Sequence, residues 1–252
     1  MPTPNPVAFT ILGIDIMWYG IIIAAAMVLA VIIIYKRAPI HEIASEKSLD
    51  FILITVPMGV IGARLYYVLF NWDFYAGDIY KIINIRNGGL AIHGGLILGF
   101  LTAVLLCRLW NIRPLNLLDL TVPAIALAQS IGRWGNYFNQ EAHGGPTDLP
   151  WAINVGGQMV HPTFLYESIW CFLLFLFLLF VDSNRKFEGQ TFLLYGMLYS
   201  FERFFVEWLR TDSLMLGPLK QAQVLSAGVF VIFLIAYINL RRKSKYRNRI
   251  FY

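Results

Sequence analysis

Residues 14–37 read IDIMWYGIIIAAAMVLAVIIIYKR, and this stretch decides the fold. From Ile16 to Tyr35 it carries no charged side chain. A helix needs about 20 such apolar residues to cross the hydrocarbon core of a bilayer. Lys36 and Arg37 follow at once, as expected where a helix meets the cytoplasmic surface. Residues 1–13 contain no Lys or Arg, so the positive stretch that opens a secretory signal is missing. The run therefore reads as a retained transmembrane helix.

Working outward, the same pattern recurs along all 252 residues. Candidate spans cover roughly 14–35, 50–70, 89–110, 116–138, 162–181, 190–210 and 221–240. The composition agrees: 58% of residues are hydrophobic and 14% charged, against about 25% charged in soluble domains. The expectation is an all-α integral membrane protein, a single polytopic domain of about seven helices over residues 1–252. Pro57 and Pro123 fall inside spans, which membrane helices tolerate. Cys107 and Cys171 lie in apolar runs without a CxxC spacing, so neither a disulfide framework nor a metal site is inferred.

Basic residues set the orientation. If the connection after the first span is cytoplasmic, thirteen of the twenty Lys and Arg residues lie on the cytoplasmic side, including the tail 241–249. Lys81, Arg86, Arg210 and Lys220 lie on outer connections, and Arg64, Arg133 and Arg203 lie within spans. The N-terminus is expected outside and the C-terminus inside. The net charge of +5 then reports topology, and the basic tail reads as an anchor beside anionic lipid, not as a nucleic-acid patch. Among the outer connections, 71–88 mixes aromatics with charge and suits the interface. Segment 139–161, long and rich in Gly and Pro, is a candidate lid or docking arm.

Placed by depth, the intramembrane polar groups gather at the outer ends: Tyr19, Arg64, His93, Arg133, Asn136, Glu167, Tyr199, Arg203 and Glu207. A charge within a span costs roughly 2.5–3.5 kcal/mol on insertion scales and normally faces the bundle interior for a functional reason. Arg203 precedes Arg210 by seven residues, which puts it about 10 Å below its helix end at ~1.5 Å per residue. Tyr199, Arg203 and Glu207 recur every four residues and share one helix face. Arginine suits phosphate because its planar fork donates two parallel hydrogen bonds. Blander readings stand beside these. Arg203 and Glu207 also fit a structural ion pair. Arg64 fits pairing with a carboxylate as well as substrate contact, with Glu167 as that partner. Tyr19 also fits an aromatic belt. His93, flanked by Gly88, Gly89, Gly94 and Gly95, has little reason to exist as packing.

GRWGNYFNQEAHGG, residues 132–145, closely resembles the signature of the bacterial phosphatidylglycerol–prolipoprotein diacylglyceryl transferase family. The matching positions are Gly132, Arg133, Gly135, Asn136, Tyr137, Asn139, Glu141 and Gly144. GGLAIHGG (88–95), HPTFLYES (161–168), YSFERFFVEWLR (199–210) and WYG (18–20) resemble the family's other blocks. The resemblance implies transfer of the diacylglyceryl group of phosphatidylglycerol to the lipobox cysteine of a prolipoprotein signal peptide, with release of glycerol phosphate. It implies seven helices in the cytoplasmic (inner) membrane, an active site toward the outer face, and neither cofactor nor metal.

On that reading Arg133 and Arg203 take the phosphate, and Asn136 bonds the headgroup or the peptide. His93 is the candidate base, since imidazole titrates near neutrality; it is alternatively a hydrogen-bond positioner. Glu141 and Glu207 orient the arginines, Tyr19 and Tyr199 line the cavity, and Arg64, Asn139 and Gly144 complete the substrate-binding set. Two other classes compete. A lipid or organic-anion carrier would explain buried arginines, but carriers often show inverted repeats and midplane binding, and no repeat is visible here. A metal-dependent lipid transferase would need a carboxylate cluster for Mg²⁺, and no paired-Asp motif lies on any span.

Overall fold

A computed structural model describes residues 4–85, 88–211 and 213–250, the last six by their backbone alone. Arg86 and the side chains of Lys245, Arg247 and Arg249 lie outside the described residues. The chain divides into two compact units, one of Met1–Ile33 with Leu118–Tyr252 and one of Ile34–Leu117.

The first unit opens with a hairpin where the sequence suggested the start of a helix. β1 (Val7–Ile11) pairs antiparallel with β2 (Ile14–Met17), Ile11 opposite Ile14. The turn residues Leu12 and Gly13 both have positive φ, 50° and 76°, as a two-residue hairpin turn requires. Thr10 Oγ1 donates to Asp15 Oδ1 across the ribbon at 2.6 Å. α1 (Trp18–Arg37) therefore starts four residues later than the apolar run. The period-two alternation of Ile14, Asp15 and Ile16 is overridden only after Trp18, where uninterrupted apolar residues begin.

Four more long helices follow in this unit or run into it: α6 (Pro114–Asn139), α7 (Thr163–Ser183), α8 (Gln190–Leu209) and α9 (Gln221–Ile250). α8 packs against both α7 and α9. A Cβ at Gly196 on α8 would collide with the Phe233 ring of α9, so glycine there sets their separation. Val122, Ala126, Leu174 and Leu178 form a core beneath Tyr195 and Tyr199. Asp119 is a fully buried charged group of this unit. Asp119 accepts hydrogen bonds from the backbone N–H groups of Gly189 (2.7 Å) and Phe192 (2.8 Å). Gly189 precedes α8 and has no side chain to cap it, so a carboxylate from another helix supplies the acceptor that the first-turn N–H groups lack. Arg185 Nη1 lies 3.6 Å from Asp119 and balances part of its charge.

The second unit is built on α2 (Ser45–Phe70) and α5 (Ile92–Leu109). Gly62 and Gly94 face each other so closely that a Cβ on either would strike the other's carbonyl. Small residues permit this approach between membrane helices. Between the two helices, segment 71–91 carries α3 (Trp72–Tyr75) and α4 (Ile79–Ile83). A 3₁₀ turn, Ala38–His41, follows α1, and the buried His41 ring lies 3.1 Å from Asn116 Oδ1.

Among the described residues, six helical segments are long and apolar enough to cross a membrane: Trp18–His41, Ser45–Phe70, Ile92–Leu109, Pro114–Asn139, Thr163–Ser183 and Gln221–Ser244. α8 matches the sixth expected span, 190–210, in position, but Glu202, Arg203 and Glu207 set it apart from the other six. The exterior is that of a lipid-facing protein. Ile97, Phe100 and Leu105 of α5 and Leu225, Ile232 and Ile235 of α9 are all exposed, an arrangement that water would penalise and hydrocarbon would not. The chain is therefore mostly helical, as expected. Two further two-stranded ribbons, like the first, were not anticipated. β3 (Ile153–Val155) pairs with β4 (Gln158–Val160), and β5 (Met215–Leu216) with β6 (Leu219–Lys220). Their turns rest on Gly156, Gly157 and Gly217, all at positive φ.

Candidate functional site

Three helices of the first unit bring charged side chains to one cluster. α6 contributes Arg133, α7 contributes Glu167, and α8 contributes Tyr199, Glu202, Arg203 and Glu207. A single oxygen, Oε1 of Glu167, lies 3.1 Å from Arg133 Nη2 and 2.9 Å from Arg203 Nη1. Arg203 turns its other nitrogen, Nη2, to Glu207 Oε2 at 2.6 Å. Arg133 Nη2 also reaches the Tyr199 hydroxyl at 3.5 Å. The carboxylates form the floor and the arginines the accessible edge: the Glu167 and Glu207 side chains are 1% and 3% exposed, both arginines 21%.

The neighbouring contacts fix this register. Ser130 and Ser168 exchange hydrogen bonds, each hydroxyl donating to the other's backbone carbonyl at 2.8 Å. Trp134 Nε1 donates to Ser168 Oγ at 3.1 Å. These bonds lock α6 to α7 beside the Arg133–Glu167 pair. On α8, Tyr195 donates to Gln129 of α6 at 2.9 Å. At the end of α8, Lys220 Nζ donates to the carbonyls of Glu207 (2.7 Å) and Arg210 (2.6 Å). That places a cation on the negative end of the helix that carries the cluster. Lys220 gave no sequence signal, because it lies ten residues past Arg210 on a different element.

The loop after α6 has its own network. Asn136 Nδ2 and Asn139 Nδ2 both donate to Glu141 Oε1, at 3.1 and 3.3 Å. Glu207 contacts an arginine as expected, but Glu141 does not: it gathers the two asparagines instead. The reason is local. Gln140 and Ala142 both adopt positive φ, 53° and 55°, which folds Glu141 back toward the end of α6. Gly144 is buried and bridges to Arg210, and its N–H donates to His161 O at 2.9 Å. A Cβ there would come within 2.7 Å of His161 Cβ. Its need for glycine is thus a matter of close packing that ties segment 139–161 to the end of α8. Tyr19 packs flat over Gly135, where a Cβ would meet its ring at 2.5 Å.

Arg64 and His93 belong to the other unit. Arg64 is 7% exposed and all five of its N–H donors are occupied by backbone carbonyls. Nε donates to Ile82 (2.8 Å), Nη1 to Gly88 (3.0 Å) and Gly89 (2.7 Å), and Nη2 to Lys81 (2.6 Å) and Asn84 (2.8 Å). The structure thus gives each of these donors a backbone acceptor. Arg64 has no donor left for a ligand, and it pairs with neither Glu167 nor any other carboxylate in these bonds. It holds the backbone carbonyls of Lys81, Ile82, Asn84, Gly88 and Gly89, and a side chain at Gly89 would run into its guanidinium. Half of the glycines around His93 thus serve Arg64, while Gly94 serves the α2–α5 approach. His93 stands in the first turn of α5, exposed, its ring centroid 6.2 Å from that of Tyr66.

Two guanidinia converging on one oxygen make a ready anion site, since each can donate charge-assisted hydrogen bonds to an oxyanion. Comparison with known proteins adds what the geometry alone leaves open. A sequence profile of the prolipoprotein diacylglyceryl transferase family matches residues 6–239. The chain is 52% identical over 239 residues to a phosphatidylglycerol–prolipoprotein diacylglyceryl transferase from Clostridioides difficile (strain 630), covering 95% of this chain and 96% of that one. It is 48% identical over 238 residues to the Finegoldia magna protein of the same name, covering 94% and 96%. With the Clostridium novyi protein of that name it shares 44% identity over 255 residues, covering 96% and 99%.

Proposed function

The chain belongs to the prolipoprotein diacylglyceryl transferase family, and from that premise we propose that Arg133 and Arg203 are the phosphate clamp of the transfer. The protein is a multi-pass membrane enzyme that moves the diacylglyceryl group of phosphatidylglycerol onto prolipoproteins, the first step of lipoprotein maturation. The acceptor on this reading is the thiol of the lipobox cysteine, and the second product is glycerol phosphate. The observation that carries the reading is the convergence of Arg133 and Arg203, from separate helices, on Oε1 of Glu167. A phosphodiester oxygen has the same charge and the same lone pairs as that carboxylate oxygen.

The chemistry needs little more from the protein. Sulfur attacks a glyceryl carbon, and the C–O bond to phosphate breaks with its electron pair left on the phosphate. Charge grows on that leaving group as the bond breaks, and the two guanidinia are already aimed at it. Glu207 holds Arg203 in place, and Tyr199 lies beside Arg133. Asn136, Asn139 and Glu141, with Gly144 packing the loop behind them, form a polar rim for the headgroup or the peptide. Tyr19 lines the entrance over Gly135. The assignment of His93 to the reaction rests on its motif alone.

In topology, the reading is a single bundle of seven transmembrane helices in the cytoplasmic membrane, N-terminus outside and active site toward the outer face. α8 crosses as the seventh because Arg203, Glu207 and Glu167 satisfy one another within the bundle. The bias of Lys and Arg toward one set of connections supports the orientation. A reconstituted assay tests the function. Purified protein in detergent receives phosphatidylglycerol and a lipobox peptide with a free cysteine. Peptide-dependent glycerol phosphate release, matched by a diacylglyceryl mass gain, is expected. Neither signal from folded protein would favour a lipid or anion carrier.

A further inference from the structure

The cluster sets three carboxylates against two guanidinia. Arg133 and Arg203 are its cations; Glu167, Glu202 and Glu207 are its carboxylates, with Glu202 within electrostatic range of Glu167 and both arginines. Oε2 of Glu167 and Oε1 of Glu202 are buried and accept no hydrogen bond. Glu167 Oε1 lies against Nη2 of Arg133 and Nη1 of Arg203, on the guanidinia assigned above to the lipid phosphate. A phosphate that takes this shared edge of both guanidinia displaces that carboxylate. A displaced Glu167, 1% exposed and beside Glu202, would be a buried charge without a counter-ion, which costs several kcal/mol. A proton removes that charge, and the reaction has one to give up.

We propose that Glu167 is the general base of the transfer, held paired by Arg133 and Arg203 until the lipid phosphate takes both guanidinia. The inference rests on the reading of those arginines as the phosphate clamp. In the ligand-free enzyme Glu167 occupies the phosphate's place. Once the phosphate arrives, the carboxylate takes the thiol proton: S–H breaks, and the sulfur electron pair forms the new C–S bond. The glyceryl C–O bond breaks onto the phosphate oxygen. Glu167 then passes its proton to the departing glycerol phosphate and resumes its bridge between the arginines. Every atom and charge is accounted for without oxidant, metal or cofactor. The order of events also has a logic. The base stays masked while no lipid is bound, so a signal peptide alone is not activated.

The test uses the full-length protein with phosphatidylglycerol and two lipobox peptides, one with cysteine and one with selenocysteine. A selenol is ionised at neutral pH without a base, so it bypasses the step assigned to Glu167. Glu167→Gln should lose about 10²- to 10⁴-fold in turnover with the cysteine peptide, the usual contribution of a general base, and recover most of it with the selenocysteine peptide. The cysteine rate of this variant should also climb with pH as thiolate accumulates. His93→Gln and Arg133→Ala should show the same fractional loss on both peptides. Equal loss on both peptides in Glu167→Gln would overturn the proposal and leave Glu167 as a positioning residue. Selective selenocysteine rescue of His93→Gln would overturn it in favour of the imidazole. Full activity in Arg133→Ala would instead refute the phosphate clamp, which separates the two readings. Should Glu167→Gln fail to fold, Glu167→Asp still decides. Its shortened carboxylate should slow the cysteine peptide and leave the selenocysteine peptide nearly unaffected, and equal loss on both peptides would overturn the proposal.

Discussion

Replacing Arg203 by lysine keeps the positive charge and removes the fork. Arg203 uses two nitrogens for two different carboxylates, Nη1 to Glu167 at 2.9 Å and Nη2 to Glu207 at 2.6 Å. A lysine has one ammonium on a flexible stem, so it can satisfy one carboxylate at good geometry while the other is left with a longer, weaker contact. Two consequences follow, and they are measured separately. Glu207 is 3% exposed and Arg203 is the cation facing its Oε2; weakening that pair costs about 1–3 kcal/mol of stability, short of the ~3–5 kcal/mol for deleting a buried partner outright. The second effect is on catalysis. Losing one aimed donor at a developing oxyanion costs about 10²- to 10³-fold, or about 2.7–4 kcal/mol. The assay is kcat/KM for a lipobox peptide at saturating phosphatidylglycerol, with thermal denaturation in the same detergent as the control for folding. The expected result is a folded protein with a denaturation midpoint lowered by several degrees and turnover reduced at least about 100-fold. Turnover within tenfold of wild type would refute the argument that the planar fork, and not the charge alone, does the work at this position.

Asp119→Ala should lower stability by about 3–5 kcal/mol, because a buried and a part-buried backbone donor at the start of α8 lose their acceptor; urea or thermal denaturation reads this, and an unchanged midpoint would contradict the cap. Gly94→Ala should cost about 1–3 kcal/mol through the clash with the Gly62 carbonyl; the same measurement checks it, with Gly228→Ala, where a Cβ meets nothing, as the neutral control. Arg64→Ala should release Lys81, Ile82, Asn84, Gly88 and Gly89 from its five hydrogen bonds. Trypsin should then cut at Lys81 markedly faster than in the wild type, and unchanged cleavage would refute the caging role.

The helical bundle was legible because transmembrane helices announce themselves by uninterrupted apolar length, and Arg133, Asn136, Tyr199, Arg203 and Glu207 stood out against that background. The four-residue spacing of Tyr199, Arg203 and Glu207 correctly foresaw the Arg203–Glu207 pair. What depended on tertiary placement was hidden. Glu167 was expected among the polar groups at the outer ends of the spans, with Arg64 as its candidate partner, and it bridges Arg133 and Arg203 instead. Nothing along α7 indicates which helix it faces. Arg64 looked like a ligand for an anion because its charge is visible in sequence, while the backbone carbonyls that surround it are not. Asp119 reads as an ordinary residue in the first turns of its own helix, yet it caps another helix 70 residues away. Glu202 escaped notice because it lies off the Tyr199–Arg203–Glu207 face. The hairpins were masked by hydrophobicity: Ile14, Ile16 and Met17 extend the apolar run of α1 without sharing its conformation.

The most direct measurement is an experimental structure of the enzyme with phosphatidylglycerol bound. The account predicts phosphate oxygens about 2.7–2.9 Å from the guanidinium nitrogens of both Arg133 and Arg203, with Glu167 Oε1 withdrawn from the contacts of 3.1 and 2.9 Å that it makes without lipid. A bound lipid whose phosphate lies elsewhere, with both Glu167 ion pairs intact, would contradict it.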